Sequence, residues 1–129
     1  MIVLVIASVL AAIAYPSYRE HAIRSALPEA TSGLSLYAMR LDEYFQDRRS
    51  YRSADDACGI APPVANTFDF SCVQENDGNS FLITASGKTG DLAAFSFTLD
   101  HLGNQRTTAL PQSWGKAPAD CWVHRRGPC

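Results

Sequence analysis

"MIVLVIASVLAAIAYPSYREHAIRS", residues 1–25, sets two unlike helical patterns end to end with a proline at the seam. Residues 1–15 carry no charge, and Ser8 is the only clear polar interruption. A helix that is apolar all round has no face to turn to water, so it needs lipid or other apolar helices about it. As a helix the stretch is about 22 Å long, short of the ~30 Å of a bilayer core. From Ser17 to about Tyr51 the pattern becomes amphipathic. Ile23, Leu27, Ala30, Leu34, Ala38, Leu41 and Phe45 recur every three or four residues and share a face, whereas Arg19, Glu20, Arg24, Arg40, Asp42 and Glu43 fall mostly elsewhere. Pro16 removes one backbone hydrogen bond and crowds the carbonyl of Ala12, so a helix kink is expected there. The same reasoning places a second irregularity near Pro28, and Gly33 weakens the run further, by about 1 kcal/mol against Ala. Leu36, Tyr37, Met39 and Tyr44 broaden the apolar surface beyond one stripe.

Beyond this helix, residues 52–66 contain "SADDACGIAPPVAN", whose paired prolines and short polar residues read as a loop. Residues 67–110 then read as a meander. "TFDFSCV" (67–73), "SFLITAS" (80–86) and "AAFSFTLD" (93–100) have strand character, and a shorter strand is expected at 105–110. Phe68, Phe70 and Cys72 alternate onto one face, as do Phe95, Phe97 and Leu99. "ENDGN" and "GKTGD" supply the turns. Residues 111–129 are irregular. A long helix followed by antiparallel strands is the α+β pattern, with residues 17–129 as the head and residues 1–16 standing apart from it.

The 129 residues make one domain, and a net charge of −2 gives no general attraction to nucleic acid, so any such binding needs a local patch. Cys58, Cys72, Cys121 and Cys129 show neither C-x-x-C nor zinc-ligand spacing, and an even set in a small chain reads as disulfides formed outside the cytosol. Three connectivities are open. Cys58 with Cys72 and Cys121 with Cys129 is favoured because each pair closes a local loop, about 3 kcal/mol of chain entropy for ~15 residues. No nucleophile elbow, phosphate loop, zinc-protease motif or calcium loop occurs, so neither an enzyme nor a cofactor is expected. His21, His101 and His124 are scattered in polar contexts. Lys116, His124, Arg125 and Arg126 do cluster, beside Trp114 and Trp122, in an otherwise acidic chain.

The apolar stretch, Pro16, the Ser17-Tyr18 that follows and the basic amphipathic run resemble the signature helix of type IV pilins. "YFQDRRSY", "FSFTLDHLGNQR" and "ADCW" are similar to later parts of PilE-like pilins of the type IVa group. The resemblance covers most of the chain and implies the pilin fold: a long helix on a small, about four-stranded antiparallel sheet, with a disulfide-closed C-terminal loop. It implies a subunit that waits in the inner membrane with its head in the periplasm. The pilus assembly machinery then packs it with its own copies and other pilins into a helical filament on the cell surface. Ile2, Val3, Leu4, Val5, Ile6, Val9, Leu10 and Ile13 would pack the filament core. Adhesion, twitching motility or DNA uptake are the tasks such filaments perform. The family's processing motif, a Gly-Phe-Thr-Leu-Ile-Glu segment, does not precede Met1 here, and the sequence reads as beginning just after it. Related minor pilins bind DNA, which makes Lys116, His124, Arg125 and Arg126 candidate phosphate contacts. A type II secretion pseudopilin is an alternative, but Asp120 alone in residues 111–129 is too little for the calcium site common there. A secreted disulfide-bonded domain is another, with "AIA" (12–14) as a signal-peptide cleavage site.

Overall fold

The computed structural model describes all residues, 1–129. One helix, α1 (Ile2–Arg48), is followed by four strands: β1 (Phe68–Glu75), β2 (Ser80–Gly87), β3 (Ser96–Asp100) and β4 (Gln105–Ala109). The strands form one antiparallel sheet in the order β1-β2-β3-β4. This is the expected α+β pilin-like architecture.

The register explains the core. Phe70, Ala85, Phe97 and Thr107 lie in one row across the sheet, and Cys72, Ile83, Leu99 and Gln105 in the next. Side chains of a row share a face. Against that face α1 turns Leu27, Ala30, Leu34, Tyr37 and Leu41, all buried, at the three-and-four spacing of one helical stripe. Phe95 meets Trp114 edge-on at 5.2 Å, and Tyr51 meets Phe81 edge-on at 4.7 Å, closing the two ends of the core. Tyr37 donates its hydroxyl to the Ile60 carbonyl at 2.8 Å, and burial pushes that hydroxyl's pKa up to about 12.

Three elements differ from expectation. α1 stops at Arg48 instead of near Tyr51, because Arg49 turns left-handed (φ 55°) and donates its N–H back to Phe45 at 2.6 Å. That frees Tyr51 to stack on Phe45 at 4.6 Å and to donate to Asp42 at 2.9 Å. β3 begins at Ser96, since Gly90–Ala94 forms a short 3-10 turn. Pro28 gives no interruption: α1 runs on through it. Pro28 is exposed, and its own carbonyl accepts Ser32 Oγ at 2.5 Å. A missing backbone donor on a solvent face leaves a carbonyl that water can satisfy.

Gly33 has a packing reason. The Phe70 ring lies where a Gly33 Cβ would stand, so the helix gives up propensity to let the sheet approach. Gly87 is tighter still, because a Cβ there would overlap the Leu92 carbonyl. Gly87→Ala is therefore expected to push the 90–94 turn off β2 and lower stability by about 1–3 kcal/mol in chemical denaturation, the usual cost of overpacking.

Two disulfides tie the irregular segments down. Cys58–Cys72 joins the loop after α1 to β1, with Cα atoms 6.1 Å apart, and Cys121–Cys129 closes the C-terminal segment at 6.3 Å. Glu29 on α1 reaches the same loop, accepting the Asn66 N–H at 2.7 Å and the Thr67 hydroxyl. The Thr67 hydrogen bond, outweighing desolvation and helped by Asn66, Thr67 N–H and Lys88, holds Glu29 below its ordinary value of 4.5. A carboxylate with a lowered folded-state pKa stabilises above its unfolded value, and that contribution fades as pH falls through the folded value. Glu29→Gln is expected to flatten the pH dependence of the unfolding midpoint below pH about 4.3 and leave its shape near neutrality unchanged.

Candidate functional site

The first surface is what the fold leaves uncovered. The head begins to bury α1 only at Leu27, with Ile23 partly covered. Ahead of it, Ile2, Val3, Leu4, Val5, Ile6, Val9, Leu10 and Ile13 project into open space, from 77% exposure at Ile2 to 54% at Ile6. The best 18-residue window of α1 has a mean hydropathy of 1.7, and none of it is buried. A contiguous apolar surface of this size on a soluble head marks a membrane or protein contact. Ala7, Ala11, Ala12 and Ala14 leave room for close helix approach. Pro16, where this half ends, lies inside the continuous α1, which runs on through it as it does through Pro28.

The second surface is the C-terminal segment. It pairs along the free edge of β4, Thr107 and Ala119 exchanging backbone hydrogen bonds of 2.9 Å each way. The buried Thr107 hydroxyl donates to Cys121 O at 2.6 Å and accepts from Val123 N at 3.0 Å. Trp122 Nε1 donates to Thr98 O at 2.9 Å. Together these fix where residues 121–129 stand.

The basic candidates face different but adjoining hollows of the C-terminal segment. Lys116 borders a cavity of about 340 Å³ beside Trp114, Gly127 and Cys129. His124 lies on an open groove of about 650 Å³ between the segment and α1, opposite Arg24, Ser32 and Ser35. Arg126 turns toward α1 and pairs with Glu20 at 3.4 Å. Arg125 is exposed between them, and Lys116, His124 and Arg125 take part in no ion pair.

The structure adds residues that the sequence reading passed over. Arg24 pairs with Glu20 at 2.6 Å, a one-turn helical pair whose spacing was visible in the sequence. Arg19 grips Asp91 with both ends of its guanidinium, the Nε contact being 3.1 Å. No local pattern could reveal that pair, since 72 residues separate its members.

Comparison with known proteins bears on the chain that joins the two surfaces. A family model described as type IV minor pilin ComP, DNA uptake sequence receptor, matches residues 16–96. That match ends before the 111–129 segment. Fimbrial protein EcpC of Eikenella corrodens is 33% identical over 93 residues, covering 72% of this chain. The chain spans 61% of that relative's length. A type IV pilin from Shewanella oneidensis superposes with a TM-score of 0.53 at 19% identity, over 64% of this chain and 89% of that one. With the family model covering more than half of the residues, and the fold agreeing, this chain belongs to the type IV pilin family.

Proposed function

We propose that this chain is a structural subunit of a type IV pilus. Residues 1–16 hold it in the inner membrane, with its head in the periplasm. The same residues then pack against those of its copies and of other pilins when the assembly machinery builds the surface filament. The uncovered apolar half of α1 carries this reading, because a head already closed around residues 27–41 has no use for it. Pro16 is the place where the two halves of α1 change direction relative to one another as the subunit passes from lipid to filament. Imaging cells with and without the gene tests the role. Loss of all filaments identifies a major subunit, and filaments that persist but fail in one task identify a minor one. Full filaments with every task intact would contradict it.

A second role, contact with DNA, is favoured by the description of the matching family model and by the unpaired Lys116, His124 and Arg125. Arg126 is the weaker candidate, being held by Glu20. Lys116→Ala with Arg125→Ala is expected to weaken duplex binding in a mobility-shift titration. It should also lower the slope of log K against log salt by about 0.9 per lost phosphate contact. No measurable wild-type binding at low salt would remove this role.

A further inference from the structure

We propose that the underside of the head, where α1 emerges, docks on anionic phospholipid headgroups while residues 1–16 lie in the bilayer. The proposal rests on the anchor reading given above.

Position comes first. Tyr15 and Tyr18 stand exposed, at 65% and 71%, where the apolar stretch ends, the place tyrosines take at a membrane–water interface. Arg126 reaches Glu20, five residues past Tyr15, or about 7 Å along the helix axis. A headgroup layer adds about 5–7 Å to each side of the hydrocarbon core. With the tyrosines at the hydrocarbon edge, the Arg126 guanidinium therefore stands level with the phosphates.

Charge is the second argument. Around the emerging helix Arg19, Arg24 and Arg126 outnumber Glu20 and Asp91, and the exposed Arg125 is the sequence neighbour of Arg126. At the far end of α1 and in the turns beside it the balance is reversed: Asp42, Glu43, Asp47, Asp55, Asp56, Glu75 and Asp77 outnumber Arg40, Arg48, Arg49 and Arg52. A head with a basic excess toward the membrane and an acidic excess away is oriented by an anionic leaflet, each unmatched basic residue near the surface favouring contact about fivefold.

Shape is the third. Between α1, Asp91, Ser113, Trp114 and Arg126 lies an open wedge of about 250 Å³, with Pro16 at its lower rim and Arg19 and Arg126 in its walls. Ahead of Ile23 the head meets α1 through the Arg19–Asp91 and Arg126–Glu20 ion pairs, and a phosphate can share those guanidinium donors without disturbing the core.

Trypsin reads this contact directly, because Arg125 and Arg126 are exposed cleavage sites and Arg48–Arg49, at the far end of α1, are an internal control. The intact chain is placed in nanodiscs of phosphatidylcholine, alone or with phosphatidylglycerol, and digestion is followed by mass spectrometry after reduction. The expected result is cleavage slowed at least about fivefold at residues 125–126 by the anionic lipid, unchanged at 48–49, with the protection lost at high salt. Equal rates in the two discs overturn the proposal. A chain that does not co-elute with the discs overturns the anchor reading and this proposal with it. Protection by an added DNA duplex, with no difference between the lipids, assigns the segment to nucleic acid and overturns the membrane contact.

Discussion

Ile6→Asp is expected to remove the chain from surface filaments almost completely. Ile6 sits in the middle of the uncovered apolar half of α1, surrounded by Ile2, Val3, Val9, Leu10 and Ile13. In lipid, a carboxylate at the centre of a spanning helix costs about 2.5–3.5 kcal/mol on insertion scales, a factor of roughly 100 or more in occupancy. Between packed helices the cost is at least comparable, since residues 1–15 carry no basic side chain to pair with the charge. The head should be untouched, because α1 contributes nothing to the core before Ile23. Leu102→Asp, an equally drastic change of an exposed apolar residue in the turn between β3 and β4, is the control and should leave filament content unchanged. Immunoblots of sheared filaments against whole cells measure both. Filament content of the Ile6 variant within about twofold of wild type would contradict the assembly role given to residues 1–16.

Phe97→Ala is expected to have the largest effect on the head itself. Phe97 is fully buried within the row Phe70, Ala85, Phe97, Thr107, with the Phe68 and Phe95 rings each 6.2 Å away. Truncating a buried phenylalanine costs about 3–5 kcal/mol, the lost transfer energy plus the cavity left behind. Since a domain of this size is stable by about 5–15 kcal/mol in all, the variant should give up about a fifth or more of that reserve. Urea unfolding of the intact chain in detergent, followed by circular dichroism, gives the difference. A loss below about 1 kcal/mol would mean that the sheet and α1 do not meet across this row.

Much of this architecture could be read from the residues. Alternation at Phe68, Phe70 and Cys72 and again at Phe95, Phe97 and Leu99 identified strands and their inner faces, because a half-buried sheet forces a period of two. The helical stripe from Leu27 to Leu41 was equally plain, and the change from an apolar to an amphipathic pattern at Pro16 announced a helix with two environments. What sequence could not supply were effects of distant partners. Tyr51 leaves the helix to stack between Phe45 and Phe81, and Gly33 is where it is because Phe70 comes down on it. An irregularity was expected near Pro28 because local rules count a lost hydrogen bond without knowing which side of the helix faces water. The clustering of Lys116, His124, Arg125 and Arg126 was visible in the chain, but not that Lys116, His124 and Arg126 would face three adjoining hollows, since the pairing along β4 and the Arg126–Glu20 contact decide that.

The proposed membrane and DNA contacts both draw on the C-terminal segment and would belong to different stages: against the bilayer before assembly, and on the outside of the filament afterwards. Both presuppose that residues 1–16 remain on the mature chain and are covered in the assembled state. Hydrogen exchange on purified filaments, resolved by peptide mass, tests that most directly. Residues 2–14, whose side chains are uncovered in the single subunit, should exchange far more slowly in the filament than in detergent, while the exposed loop around Val64 exchanges alike in both. Equal exchange of residues 2–14 in the two states, or a filament-borne chain that starts after Ala14, would contradict assembly through the N-terminal helix.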